Sequence, residues 1–122
     1  MELFYLAIGV VAIGLFVHWA REHCMDTTTS RNHTVYYRTK DGRADYGFSF
    51  KRQSDGSYRA YIVSQPSYGS RDTSLYATHR LMDRGRYYVC WEPPPRNEAD
   101  VRQVAALWAD NTQDYIKTGR HF

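Results

Sequence analysis

From residue 3 to residue 20 no formally charged side chain interrupts the chain, and nearly every position before His18 is apolar. Roughly 18 residues at about 1.5 Å each reach about 27 Å, close to the hydrocarbon thickness of a bilayer. The pattern predicts a single transmembrane helix over residues 1–21. A secretory signal peptide would open on basic residues and close on a small-x-small cleavage site. This segment opens on Glu2 and closes on His18, Trp19, Ala20 and Arg21. A helix packed inside a domain this small would carry a polar stripe, and none occurs before His18.

Residues 22–33 are polar, and the run DTTTSRNH has no apolar period, which reads as a juxtamembrane linker. Past Thr34 the period becomes two. Asp41 and Gly42 separate two strand-like runs, and in the second Tyr46, Phe48 and Phe50 alternate with Gly47, Ser49 and Lys51, giving one buried and one wet face. Asp55 and Gly56 mark another turn, after which Tyr58, Ala60 and Ile62 share a face. The runs ATHRLM and RYYVCW flank Asp83, Arg84 and Gly85, a three-residue connection with glycine placed for a bulged hairpin. In the second run Tyr87, Val89 and Trp91 are expected toward the core, with Tyr88 and Cys90 opposite. Pro93, Pro94 and Pro95 then end the strand.

The last period is helical. Asn97 suits an N-cap, Glu98 and Asp100 favour the positive end of the helix dipole, and Val101, Val104, Ala105, Trp108, Tyr115 and Ile116 recur on one stripe. Gly119 is placed to close the helix. The fold class is therefore α+β. A single N-terminal transmembrane helix precedes a small antiparallel sheet of about five strands, covered on one side by one C-terminal helix. The organisation expected is an anchor over 1–21, a linker over 22–33 and one folded domain over 34–122.

Composition adds limits. A chain of 122 residues, 24% charged and 16% aromatic, has material for one small core and no second one. Arg21, Arg31, Arg38 and Lys40 follow the apolar segment, whereas only Glu2 and the amino terminus precede it, so the positive-inside rule puts the domain in the cytoplasm of a cell-membrane protein. Cys24 and Cys90 read as free thiols, since nothing in the sequence requires their long-range approach. The net charge of +3 is dispersed among acidic residues, without the basic stripe of a nucleic-acid footprint, so nucleic acid is not an expected partner.

Most catalytic chemistry lacks its signature here. The histidines form no close pair with metal-ligand spacing, neither cysteine sits in C-x-x-C, and GxxxxGK[ST], GxGxxG and GxSxG do not occur. No metal and no cofactor is expected. What remains is the stretch 65–81, QPSYGSRDTSLYATHRL, which has no hydrophobic period. Arg71, His79 and Arg80 offer cationic groups, Ser70 a hydroxyl, Gly69 a freed backbone amide and Tyr68 a ring for stacking. That set suits an anionic ligand, phosphate-bearing or a nucleotide. The bland reading has Arg71 pairing with Asp72 and the tyrosines covering a core short of aliphatic residues. The residues thus point to a membrane-anchored binding module for an anionic small molecule or a protein partner. Two alternatives stand beside it: a small enzyme using His79 as general acid or base with Arg71 and Tyr68, and an accessory subunit of a membrane complex.

The charge asymmetry generates a test of orientation. A reporter fused after Phe122 is expected to register as cytoplasmic, and periplasmic or lumenal activity would reverse the topology.

Overall fold

A computed structural model of the chain describes residues 33–122. The expected anchor, 1–21, and nearly all of the linker lie outside the described residues. Among the described residues no helix is long and apolar enough to cross a membrane.

Five strands form one antiparallel sheet: β1 (Val35–Arg38), β2 (Asp45–Arg52), β3 (Tyr58–Ser64), β4 (Arg80–Asp83) and β5 (Arg86–Val89), in the spatial order β1-β2-β3-β5-β4. A four-residue helical turn, α1 (Leu75–Thr78), precedes β4, and the long helix α2 (Glu98–Thr118) covers one sheet face. The α+β class and the C-terminal covering helix agree with the sequence pattern.

Local chemistry explains the turns. Thr39 N–H donates to Ala44 O at 2.9 Å and Gly42 N–H to Thr39 O at 2.8 Å, with Gly42 at φ 72°, which closes β1 onto β2. Between β2 and β3, Gln53 N–H donates to Ser57 O at 2.7 Å, and Gly56 takes φ 88° as the extra residue of a three-residue loop. The β4–β5 connection differs from expectation. Asp83 pairs directly with Arg86, so only Arg84 and Gly85 form the loop, both at positive φ (52° and 78°). That is the two-residue geometry whose twist matches paired strands, and Arg84 adopts the left-handed conformation that a bulged loop would have left to glycine alone.

Strand order has a further consequence. β3 and β4 are both antiparallel to β5, which lies between them, so β3 and β4 run parallel. Parallel strands cannot be joined by a tight hairpin and need a crossover of about a dozen residues or more. Residues 65–79 are that crossover.

The core lies between the sheet and α2. Tyr37, Tyr46, Phe48, Ala60 and Val89 meet Val101, Ala105, Ala106, Trp108 and Ala109, with Phe50, Tyr58, Ile62 and Val104 packed at the margin. Trp108 is fully buried, edge-on to Tyr46 (5.9 Å between centroids) and Phe48 (6.0 Å), and its indole N–H donates to Thr78 O at 3.0 Å. Ala105 and Ala109 beside it let the helix approach the sheet closely. Of the three β5-region residues expected in the core, only Val89 is there. Tyr87 is half-buried beneath the Arg80 guanidinium, and Trp91 falls beyond the end of β5, where the chain leaves the pleat. The helix ends as its sequence indicates. Asn97 Oδ1 accepts from Asp100 N–H at 2.8 Å, and Gly119, at φ 78°, donates to Tyr115 O at 2.7 Å.

Trp108→Ala removes both the packing and the donor, and should destabilise the domain by about 3–5 kcal/mol. Trp108→Phe keeps most of the ring contact but strands a buried carbonyl, for about 1–3 kcal/mol. Denaturant unfolding of the two variants should separate these contributions, since both lose the donor and only Phe keeps the ring; equal losses would mean that the ring contact contributes nothing beyond the hydrogen bond.

Candidate functional site

The six residues singled out in 65–81 are spread along the crossover, and most are held by the protein itself. Tyr68 is buried with its ring 6.1 Å from that of Tyr115. Gly69, at φ 63°, sits in a turn closed by Arg71 N–H to Tyr68 O at 3.1 Å, with Ser70 exposed beside it. Arg71 does not pair with Asp72. Its Nε donates to Ile116 O at 3.1 Å and its Nη2 to Lys117 O at 3.2 Å, capping the negative end of α2. His79 ends α1 in the left-handed conformation, with its ring 4.3 Å from Phe122. Arg80 is buried, with its guanidinium 3.8 Å from the Tyr87 ring centroid and 5.0 Å from that of Tyr68, and with Nε donating to Thr78 Oγ1 at 3.0 Å.

Tyr68 and Arg80 are thus brought together, while Arg71 turns to the helix terminus and His79 to the C-terminal tail. The enzyme alternative has little geometry to draw on. Asp72 uses Oδ1 on Ser74 N–H and its carbonyl on Tyr115 Oη–H (2.7 Å), so it does not orient His79. Burial pushes the Tyr68 hydroxyl above the ordinary tyrosine range, outweighing the pull of Gln65, Arg80 and Thr112, so it remains a phenol at neutral pH. Among the described residues no group of three His, Cys, Asp or Glu side chains could hold a metal ion.

A different constellation lies on the sheet face that α2 leaves open. Tyr61 and Tyr88 are cross-strand partners on β3 and β5, with ring centroids 5.6 Å apart. Two residues before each tyrosine is an arginine, and the antiparallel pairing swaps them. Arg59 lies over the Tyr88 ring at 4.2 Å, and Arg86 over the Tyr61 ring at 4.3 Å. Arg59 Nη1 also donates to Tyr61 Oη at 3.0 Å and to Asp83 Oδ2 at 2.9 Å. The four side chains form a reciprocal stack in which two cations shield two rings. Tyr36, 62% exposed, and Leu81, 39% exposed, flank it on the same face. The signal was present in the sequence as the triplet Arg-x-Tyr, occurring at 59–61 and 86–88. Only strand pairing makes the two triplets one surface.

On the other layer a groove of about 790 Å³ runs between the proline segment and α2, lined by Tyr37, Trp91, Pro93, Pro94, Val104 and Leu107 among others. Asp110, also at its wall, accepts from Tyr37 Oη–H at 2.8 Å and from Lys40 N–H at 2.9 Å. Its carboxylate is part of the framework. No protein-family model, no curated protein and no solved structure matches the chain.

The crossover's attachment to α2 can be tested directly. Tyr115→Phe keeps the ring against Tyr68 and removes the bond to Asp72 O. It should speed amide hydrogen exchange in 65–79 by an amount equivalent to about 1 kcal/mol, while amides of β2 and β3 keep their protection. A uniform change through the sheet would show that the crossover does not open independently.

Proposed function

We propose that this chain is a membrane-tethered binding module that presents the open sheet face to an acidic protein partner. The observation that carries the reading is the Arg59–Tyr88 and Arg86–Tyr61 stack, an arginine-aromatic patch on a face that no second layer covers among the described residues. Tyrosine and arginine are the residues enriched at interface centres, because each combines a flat apolar surface with a directional polar tip. Charge favours an acidic partner, since Lys51, Arg59 and Arg86 share this face with Asp83. Stacked nucleobases fit less well. Each ring face that a base would need is already under a guanidinium, and Tyr61 is only 8% exposed. The tether rests on the apolar segment 3–20 and the basic residues that follow it.

A photo-crosslinking residue in place of Leu81, in the full chain expressed in cells, should capture protein, and the same residue in place of Leu107 on the helix layer should not. Arg86→Glu should weaken capture roughly 10- to 100-fold, the scale of a charge-assisted hydrogen bond at an interface. Adducts to RNA, capture from position 107 alone, or capture indifferent to Arg86→Glu would each overturn the reading.

A further inference from the structure

Two other arginines meet at the β2–β3 turn, on the side of the sheet opposite the stack. A methyl group placed on Gly56 would lie 3.2 Å from Arg96 Nη2 and 3.9 Å from Arg52 Nη2, so the two guanidinium nitrogens are no more than about 7 Å apart. Both backbones are tied to the same residue. Arg52 is the ladder partner of Tyr58, and Tyr58 N–H donates to Pro95 O at 2.8 Å, immediately before Arg96. Neither guanidinium has a hydrogen bond or an ion pair among the described residues.

Like charges held this close repel unless something neutralises them, and Asp55, Glu98 and Asp100 take their hydrogen bonds from other groups. Glu98 pairs with Arg102 at 3.0 Å, and Asp100 accepts from Asn97 Nδ2 at 3.1 Å. Asp55 accepts from Ser57 N–H at 2.9 Å and Ser57 Oγ–H at 2.6 Å, and feels Arg96 only at longer range. The positive end of α2 begins at Asn97, next to Arg96. At Gly56 φ is 88° and the space above Cα opens toward both guanidiniums, where any side chain would crowd Arg96.

We infer that Arg52 and Arg96 form a two-armed site for a tetrahedral oxyanion of the phosphate type, received over Gly56. Oxygens of one phosphate are about 2.5 Å apart, and each can accept from a different guanidinium at about 2.8 Å, which spans the separation available here. Guanidinium suits this role because its donors are coplanar and its charge does not titrate. Arg52 and Tyr58 are the ladder pair next to Lys51 and Arg59 but point to the opposite face of the sheet from the arginine-tyrosine stack, and the site stands or falls independently of the proposed partner surface.

The test uses the full chain in zwitterionic bicelles, following the Nε–H resonances of Arg52 and Arg96 and the Gly56 amide by NMR. In one arm inorganic phosphate replaces chloride at constant ionic strength. In the other, phosphatidylglycerol replaces part of the zwitterionic lipid. A saturable shift of both arginines in the first arm alone identifies free phosphate, and in the second alone a lipid headgroup; either supports the site, as does a response in both. Arg52→Gln and Arg96→Gln should each weaken binding about tenfold or more, whereas Arg43→Gln at the β1–β2 turn should leave it unchanged. No shift in either arm, a non-saturating drift equal in all variants, or a response confined to one arginine would overturn the proposal.

Discussion

The bond from the Trp108 indole N–H to Thr78 O joins the three parts of this small domain. The tryptophan belongs to α2, its ring is pressed between Tyr46 and Phe48 of the sheet, and its donor reaches the crossover that places β4. Seven residues along the same helix face, Tyr115 repeats the device by donating to Asp72 O. From the sheet side Tyr37 reaches Asp110 and Tyr46 reaches Gln113 at 3.0 Å. Four aromatic side chains therefore supply apolar area at one end and a directional bond at the other. A core short of aliphatic residues gains more than burial from this. Each bond fixes the helix at one rotation and one translation on the sheet, which non-directional packing of Val and Ala alone would leave loosely specified.

Local structure was readable wherever its cause was local. Asn97 capping α2, Gly119 ending it, the alternation of Tyr46, Phe48 and Phe50, and the turns at Gly42 and Gly56 all follow from residues within a few positions of one another. Strand order could not be read this way, because β5 inserts between β3 and β4 by pairings that no short window contains. That single non-local fact changes the meaning of 65–81. Without it, a stretch rich in Tyr, Arg and His and lacking any period looks like a ligand loop. With it, the same stretch is the chain length needed to pass from one strand to a parallel one, and Arg71 and Tyr68 find their contacts more than 40 residues away on α2. The Arg-x-Tyr triplets were hidden for the same reason. Each is unremarkable alone, and Tyr61 opposite Tyr88 makes them reciprocal.

Net charge gave little guidance for a related reason, since the arginines occupy three physically distinct situations. Arg80 and Arg102 are buried, each with a ring beneath the guanidinium and an oxygen acceptor beside it, and they serve the fold. Arg59 and Arg86 sit over tyrosine rings at the surface, where the ring quadrupole holds the cation, and Arg59 also meets Asp83 and the Tyr61 hydroxyl. Among the described residues Arg52 and Arg96 have no hydrogen bond, ion pair or ring contact, and Arg96 meets Asp55 only at longer range. A guanidinium loses hydration on burial and must recover it from carbonyls, hydroxyls and rings. Those that have recovered it inside the protein have least to offer a ligand, and those still facing water have most. The order of availability is therefore the reverse of the order of burial. That criterion favours the two proposed surfaces, the open sheet face and the Gly56 turn, over the crossover that first attracts attention in the sequence, whose Arg71 and Arg80 the fold already uses.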